Sequence, residues 1–137
     1  MNWQLQRLVD EWVQHDRIII AVDFDDTIFP FRLVTDQHEE RIERTRALLR
    51  HCAAIGARIV IHTASASDRY GFIRDFCEAH GIHVEAINEN LPGLKYGNSG
   101  KPYANIYLDD RAGLEAALDI LGAAAEIMRL SKTDNTY

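Results

Sequence analysis

The apolar positions of this chain change repeatedly between a helical spacing and short unbroken runs. Over residues 3–15 they recur every three to four positions, which predicts a helix with one buried face. The same spacing predicts helices over about 37–54, 68–80 and 112–129. Between the helices lie short apolar runs that are typical of strands buried on both faces. These runs are residues 18–23, 58–62, 84–87 and 106–108.

Strands that alternate with helices in this way favour one parallel sheet with right-handed crossover connections. A chain of 137 residues is long enough for one domain that buries about two-thirds of its surface. We therefore expect a single α/β domain over residues 1–137. It would have an N-terminal helix within 1–16 that packs on the body of the protein, a core over 18–120 and a frayed tail over 131–137.

Small residues mark the predicted helix boundaries. Gly56 follows the second helix and Gly81 follows the third, as residues that end helices commonly do. Ser65 or Ser67 is expected to cap the start of the third helix, because a serine hydroxyl accepts a hydrogen bond from a free backbone amide there.

The first predicted strand runs directly into the acidic segment Asp23-Phe24-Asp25-Asp26-Thr27. Three carboxylates this close repel one another and lose hydration unless a cation or protons compensate them. Thr63 and the pair Asp109-Asp110 end two other predicted strands. Because ligands of open parallel sheets bind beyond the carboxyl ends of the strands, we expect all three segments at one site. Their oxygen atoms favour Mg²⁺.

The bulk composition argues against several classes of function. A net charge of −6 argues against non-specific binding of nucleic acid. No apolar run approaches the roughly 20 residues of a membrane span, so we expect no membrane association. Cys52 and Cys77 fall in separate predicted helices without metal-ligand spacing, and we expect buried free thiols in a reducing, cytoplasmic environment.

Taken in this order, the motifs at 23–27, Thr63 and 109–110 resemble the haloacid dehalogenase-like superfamily of phosphotransfer enzymes. The resemblance covers about residues 18–120, and the segment 103–112 is similar to small members with an Asp-Asp-Arg ending. It implies a three-layer Rossmann-like sandwich around a parallel sheet of strand order 3-2-1-4.

The resemblance also implies a role for each residue. Asp23 would be the nucleophile that forms an aspartyl-phosphate, and Asp25 would be the general acid and base. Mg²⁺ would be held by the Asp23 carboxylate, the Asp25 backbone carbonyl and Asp109. The Thr63 hydroxyl and the backbone amides that follow, beginning at Ala64, would hold phosphate oxygens.

Two further aspartates have less definite roles. Asp26 stands where the superfamily commonly has glycine, and aspartate tolerates the left-handed backbone of such a turn. Asp110 would either bind a water molecule next to the metal or pair with Arg111 or Lys101. Without a metal, Asp23 and Asp25 would simply form a polar turn after a strand.

The lysine that binds phosphate in the superfamily has two candidates. Lys101, followed by Pro102, matches the motif by sequence, but it precedes Asp109 by eight residues. A straight strand would place Lys101 roughly 25 Å from the metal, at the wrong end. Lys95 lies in the loop that leaves the third strand and therefore ranks above Lys101. Either could instead be a solvated surface lysine.

Three other side chains lie near strand ends. His62, inside the second strand, is expected to be a satisfied core or rim residue rather than a metal ligand. Arg69 and Arg111 are expected either to touch substrate or to form surface salt bridges.

The sequence therefore predicts a Mg²⁺-dependent phosphatase, a phosphomonoester hydrolase of unknown substrate. The segments 28–36 and 88–103, where the superfamily inserts cap domains, are short, so the site should be open. An open site suits a macromolecular end, a phosphoprotein, or a small substrate enclosed by a partner subunit of a homo-oligomer.

Two other classes of protein remain as alternatives. An inactive relative would serve as an interaction scaffold through its outer helices. A phospho-receiver module is the less favoured alternative, because receivers need an aspartate at the end of the third strand, where this chain has Asn88-Glu89-Asn90.

Overall fold

The computed structural model describes residues 2–94 and 102–134. The helices are α1 (Trp3–His15), α2 (Asp36–Ala54), α3 (Tyr70–Ala79) and α4 (Leu114–Asp134), and a single 3-10 turn, Ser67–Arg69, precedes α3. The strands are β1 (Ile19–Asp23), β2 (Arg58–His62), β3 (Ala86–Ile87) and β4 (Ile106–Leu108). In the described residues a helix follows each of the strands β1, β2 and β4, whereas β3 is joined to β4 without an intervening helix.

The strands form one parallel sheet in the order β3-β2-β1-β4. This confirms the predicted Rossmann-like α/β fold and its strand order. The register pairs Asp23 with His62 across β1 and β2, and Val22 with Leu108 across β1 and β4. Strand β1 has β2 on one side and β4 on the other, so the strand order reverses at β1. This reversal creates the crevice where ligands of such sheets bind.

Alternate residues of the strands face two different layers. Ile20 and Val22 belong to the main core, which the four helices cover. Ile19 and Ala21 face the opposite side, where the covering residues of the β3–β4 connection include the buried Leu91 and Ala104 and the partly buried Leu94 and Tyr103. In the described part of the chain, the third layer is therefore this connection rather than a helix.

The N-terminal helix packs on the body of the protein, as predicted. Leu8, Val9 and Trp12 of α1 are buried in the main core, and Asn2 caps the helix by accepting a hydrogen bond from the Leu5 amide at 2.8 Å. The two cysteines, in α2 and α3, are free and buried, also as predicted. Burial raises the pKa of each thiol to about 12.

Both predicted glycine boundaries are confirmed by left-handed backbone. Gly56 has φ +107° and Gly81 has φ +74°. A Cβ atom at Gly56 would lie 2.9 Å from the Asp16 carbonyl oxygen, so only glycine fits the end of α2 without a shift.

The predicted serine cap of the third helix is wrong. Neither the 3-10 turn nor α3 has a side-chain cap. The Ser65 hydroxyl instead accepts a hydrogen bond from Arg69 at 2.9 Å, because the polypeptide tightens into the 3-10 turn before the helix begins.

Two element lengths also differ from the sequence expectation. The third strand is shorter than residues 84–87, because the Arg74 side chain donates to the Val84 carbonyl at 2.8 Å. Helix α4 continues to Asp134, so the tail is not frayed over 131–134. Met128 of its last turns is buried, and Lys132 lies 3.9 Å from Asp16.

Within residues 2–94 and 102–134, no helix is both long and apolar enough to cross a membrane.

Candidate functional site

A cleft of about 700 Å³ opens at the carboxyl ends of the strands. Its walls come from the β1–α2 loop, the residues that follow β2 and β4, and the start of the segment that enters β4. The lining residues are Asp23, Asp25, Asp26, Phe31, Arg32, His62, Thr63, Ala64, Asn88, Pro102, Asp109, Asp110 and Arg111. The expected meeting of the three polar segments at one edge of the sheet is therefore observed.

Three carboxylates converge in this cleft. One oxygen each of Asp23, Asp109 and Asp110 lies within 4.8 Å of the other two, and all three residues are partly buried. An octahedral Mg²⁺ site with ligands at about 2.1 Å spaces its ligand oxygens by roughly 3–4 Å, so a small adjustment would let these oxygens share one ion. Such a hard-oxygen cluster occurs only once in the described residues.

Asp23 carries the strongest electrostatic signature of the cluster. Burial raises its pKa, and a hydrogen bond with Asp110 and the charges of Asp109 and Asp110 raise it further. Together they bring it to about 7 despite an opposing hydrogen bond from the Phe24 amide. Asp23 therefore needs either a proton or a cation near neutral pH, and a divalent cation fits this donor set.

Thr27 joins the two acidic segments. This fully buried residue has its hydroxyl oxygen 3.2 Å from Asp110 Oδ1 and 3.4 Å from Asp23 Oδ2, so its single hydrogen serves one of them at a time. The same oxygen accepts from the Asp110 amide at 3.2 Å. No separate role was predicted for Thr27, because its partner Asp110 lies 83 positions away in the sequence.

The motif Asp109-Asp110 forms a turn that closes on the Asp109 carboxylate. Asp109 Oδ1 accepts a hydrogen bond from the Arg111 amide at 2.9 Å. In the described part of the chain Asp110 contacts Thr27 and forms no ion pair with Arg111, so that expected pairing is wrong. Asp110 instead lies beside Asp109 and Asp23 as a third candidate ligand.

Asp25 is held by an arginine. Arg69 donates from Nη1 to Asp25 Oδ2 at 2.6 Å and from Nη2 to Asp25 Oδ1 at 2.9 Å. Of the two roles expected for Arg69, the structure shows the salt bridge, although its partner is a residue of the first motif. Hydrogen bonding to Asp25 raises the pKa of the Arg69 guanidinium.

Asp26 organises the loop between β1 and α2. Its φ of +61° confirms the predicted left-handed turn. Oδ1 accepts from the amides of Phe31, Arg32 and Leu33 at 2.8 to 3.0 Å. Burial raises the pKa of Asp26, but these three amides and the Arg41 guanidinium outweigh it, so the pKa lies below its usual value.

Thr63 and Ala64 line the cleft, as expected for phosphate-binding residues. Asn88 fixes Thr63 on both sides, because its Oδ1 accepts from the Thr63 amide at 2.8 Å and its Nδ2 donates to the Thr63 carbonyl at 2.9 Å. The Ser65 amide donates to the Thr63 hydroxyl at 3.1 Å. The Ala64 amide has no partner among the described residues, which leaves it available to an anion. Asn88 was missed as a site residue.

His62 differs in part from its prediction. It lies on the wall of the cleft, with its ring 6.3 Å from that of Tyr107. It is a rim residue but not a satisfied one, because its buried Nε2 has no partner in residues 2–94 or 102–134. Burial lowers the pKa of His62, and the charge of Asp109 opposes that shift.

Both candidate lysines, Lys95 and Lys101, lie outside the described residues. The geometric reason for ranking Lys95 higher is nevertheless wrong. Pro102 lines the cleft, and its carbonyl accepts from the Tyr107 hydroxyl at 2.6 Å. The segment entering β4 is therefore not a straight extension of that strand away from the site.

No protein-family model matches the chain, and neither does any curated protein. Among solved structures, the chain is similar to a conserved protein coded by a locus from Bacteroides thetaiotaomicron, with 24% sequence identity. The match covers 84% of this chain and 92% of that chain, with a TM-score of 0.60. At this identity the similarity shows a shared fold alone.

Proposed function

We propose that this chain is a Mg²⁺-dependent phosphomonoester hydrolase of the haloacid dehalogenase-like superfamily, working through an aspartyl-phosphate. The observation that carries the proposal is the convergence of Asp23, Asp109 and Asp110 within 4.8 Å at the carboxyl edge of the sheet. Thr63, with its anchored backbone, lines the same cleft. The raised pKa of Asp23 also supports a site that is completed by a cation.

The residues present fit a hard divalent ion. Asp23, Asp109 and Asp110 would supply its carboxylate ligands, and the Asp25 backbone carbonyl remains the fourth candidate. Bound there, Mg²⁺ would neutralise charge on the phosphoryl oxygens, which is most of what phosphoryl transfer requires of an enzyme.

The side chains divide the reaction into two steps. In the first, an Asp23 oxygen attacks phosphorus, the bond from phosphorus to the ester oxygen breaks, and Asp25 gives its proton to the departing oxygen. In the second, a water molecule attacks the aspartyl-phosphate, Asp25 takes the water proton, and the Asp23 carboxylate is released with inorganic phosphate. The Thr63 hydroxyl and the Ala64 amide would hold phosphate oxygens through both steps.

Two arginines at the mouth of the cleft support an anionic substrate. Arg32 and Arg111 line the cleft, and neither guanidinium forms an ion pair with a described residue. Their backbone amides are bonded to Asp26 and Asp109 respectively. The backbone that carries both positive charges is therefore fixed at the edge of an otherwise acidic cleft, where the charges would attract a phosphate group.

The test is a Mg²⁺-dependent hydrolysis screen over a panel of phosphomonoesters. Asp23→Asn is expected to abolish turnover, because an amide cannot act as the nucleophile. Asp119→Asn is the matched control, since Asp119 is exposed on α4 and pairs with Arg44. Equal turnover by wild type and Asp23→Asn would contradict the assignment.

One observation favours a scaffold that does not turn over substrate. Both oxygens of Asp25 are already occupied by Arg69, so the residue proposed as acid and base begins the reaction engaged. Mg²⁺ binding without hydrolysis of any phosphomonoester would support this alternative. The cytoplasmic location and the homo-oligomer remain predictions.

A further inference from the structure

The contact between Asp25 and Arg69 has more supporting structure than a surface salt bridge needs. The two terminal guanidinium nitrogens, Nη1 and Nη2, form a two-point pair at 2.6 and 2.9 Å, and the Asp25 and Arg69 side chains are only 25% and 27% exposed. Ser65 Oγ takes a further hydrogen bond from the same Nη1 at 2.9 Å. Planar, two-point pairing fixes the direction of a carboxylate as well as its position.

Aromatic rings surround the arginine. The central carbon of the Arg69 guanidinium lies 5.4 to 5.8 Å from the ring centroids of four phenylalanines, which is within the range of cation–π attraction. These four residues, which we call the aromatic socket, are Phe24, Phe29, Phe31 and Phe72. Phe24, Phe29 and Phe31 come from the β1–α2 loop and Phe72 comes from α3, so two parts of the fold confine one side chain.

The pair also links the two halves of the proposed site. Asp25 lines the cleft, whereas Arg69 is not among its lining residues in the described chain. From Arg69 the hydrogen bonds continue through Ser65 to the Thr63 hydroxyl. The proposed acid and base is thus connected, by contacts outside the reaction space, to the proposed phosphate-binding threonine.

We propose that Arg69 is a positioning residue that orients the Asp25 carboxylate toward the leaving oxygen. The aromatic socket holds the Arg69 guanidinium in place. The inference rests on the proposed function, because it assigns Arg69 a role only through Asp25. Proton transfer needs heavy atoms within about 2.6–3.2 Å, so an Asp25 that rotates freely would lose most of its contribution.

The role predicts a dependence on the leaving group. Phenyl phosphate needs a proton on its departing oxygen more than 4-nitrophenyl phosphate does, because nitrophenolate is the more stable anion. Arg69→Gln is therefore expected to lower kcat on phenyl phosphate by about 10²-fold, with a smaller loss on 4-nitrophenyl phosphate and little change in KM.

A double-mutant cycle separates positioning from general damage to the fold. In an Asp25→Asn background, Arg69→Gln should cost almost nothing further, because the group it orients is already gone. Arg69→Lys keeps the charge but not the two-point fork, so it should recover only part of the activity. Arg44→Gln, which removes an arginine paired with Glu115 and Asp119, is the matched control. Additive losses, equal losses on both esters, or full recovery by lysine would each overturn the proposal.

A measurement without turnover keeps the two proposals distinguishable. In nitrogen-15 NMR, the Arg69 side-chain N–H signals should be resolved and slowly exchanging in wild type, and Asp25→Asn should merge them with those of free arginines. Averaged Arg69 signals in wild type would overturn the positioning role. If these signals are resolved but no phosphomonoester is hydrolysed, the proposed function fails and the positioning role fails with it. Hydrolysis without coupling to Arg69 removes only the positioning role.

Discussion

At the scale of single residues, Asp23 connects folding and protonation with the proposed metal binding. Its pKa is about 7 in the folded chain, against an ordinary value of 3.8, because burial and the carboxylates of Asp110 and Asp109 disfavour its charge. A pKa raised by folding means that the folded chain holds a proton that the unfolded chain has lost between these two values. The associated stability is fully present below the lower value and is lost as pH rises through the upper one.

We expect this loss to appear in thermal unfolding with divalent metal chelated. Between about pH 5 and about pH 8 the melting temperature of wild type should fall relative to that of Asp23→Asn, which cannot ionise. Taking the difference between the two proteins cancels the opposite effect of His62, whose pKa is lowered. Mg²⁺ should restore wild type most strongly at the alkaline end, because the ion binds the ionised carboxylate.

A control variant and an opposite outcome test this expected fall in melting temperature. Asp119→Asn changes an exposed carboxylate of α4 and should follow the wild-type curve. A wild-type melting temperature that rises relative to Asp23→Asn over the same pH range would contradict the raised pKa.

Which residues of the site could be predicted depends on how far apart their partners lie in sequence. Asp23, Thr63 and Asp109 were predictable because each follows an apolar run, and parallel strands bring their carboxyl ends together. The partners of Thr27 and Arg69 were not, because they lie 83 and 44 positions away and leave no periodic trace. A single hydroxyl or guanidinium has many surface roles, so its role emerges only from the folded contact.

At the scale of elements, the loop between β1 and α2 owes its shape to Asp26. One carboxylate oxygen accepts three consecutive amides, and the Asp26 carbonyl accepts from Arg41 of α2 at 3.0 Å. Partly buried amides that lose their acceptor keep part of the cost of desolvation. The loop that carries Arg32 and Phe31 to the cleft therefore depends on one side chain.

Replacing Asp26 should loosen this loop before it affects the sheet. Asp26→Ala is expected to destabilise the chain by about 1–3 kcal/mol, because it removes a charged acceptor from three partly buried hydrogen bonds. Amide hydrogen exchange at Phe31, Arg32 and Leu33 should accelerate, whereas exchange in β1 and β2 should change little. Asp26→Asn keeps one acceptor oxygen and the tolerance for positive φ, so its effect should be smaller. Equal acceleration in the strands would show that Asp26 does not act locally.

The elements themselves were largely predictable, and their exceptions have local causes. Strand β2 and strand β4 agree with their predicted bounds, because both are short apolar runs ended by polar residues. The 3-10 turn before α3 includes Arg69, which donates a hydrogen bond to the Ser65 hydroxyl. At the shortened β3, Arg74 donates a hydrogen bond to the Val84 carbonyl. No hydrophobic period in the sequence predicted that the β3–β4 connection covers the second face of the sheet.

At the scale of the whole molecule, charge is distributed unevenly around an acidic chain. The net charge is −6, and five aspartates line the cleft. One of them, Asp25, is paired with Arg69, and a bound Mg²⁺ would offset two negative charges of the others. The remaining excess of negative charge would repel a phosphate dianion if Arg32 and Arg111 did not stand at the mouth. Their contribution should therefore appear in substrate capture rather than in chemistry.

We expect Arg32→Gln and Arg111→Gln each to raise KM for a phosphomonoester several-fold while changing kcat little, since exposed charges act through long-range attraction. Added salt should raise KM in wild type and much less in the double variant, because the Debye length shortens from about 10 Å at 0.1 M to about 3 Å at 1 M. Arg44→Gln, on the outer surface of α2, should keep the wild-type salt response. A loss confined to kcat, or a salt response unchanged in the double variant, would mean that the arginines act on the reacting group and not on capture. The salt dependence thus separates attraction by Arg32 and Arg111 from the proposed catalysis at the acidic cluster.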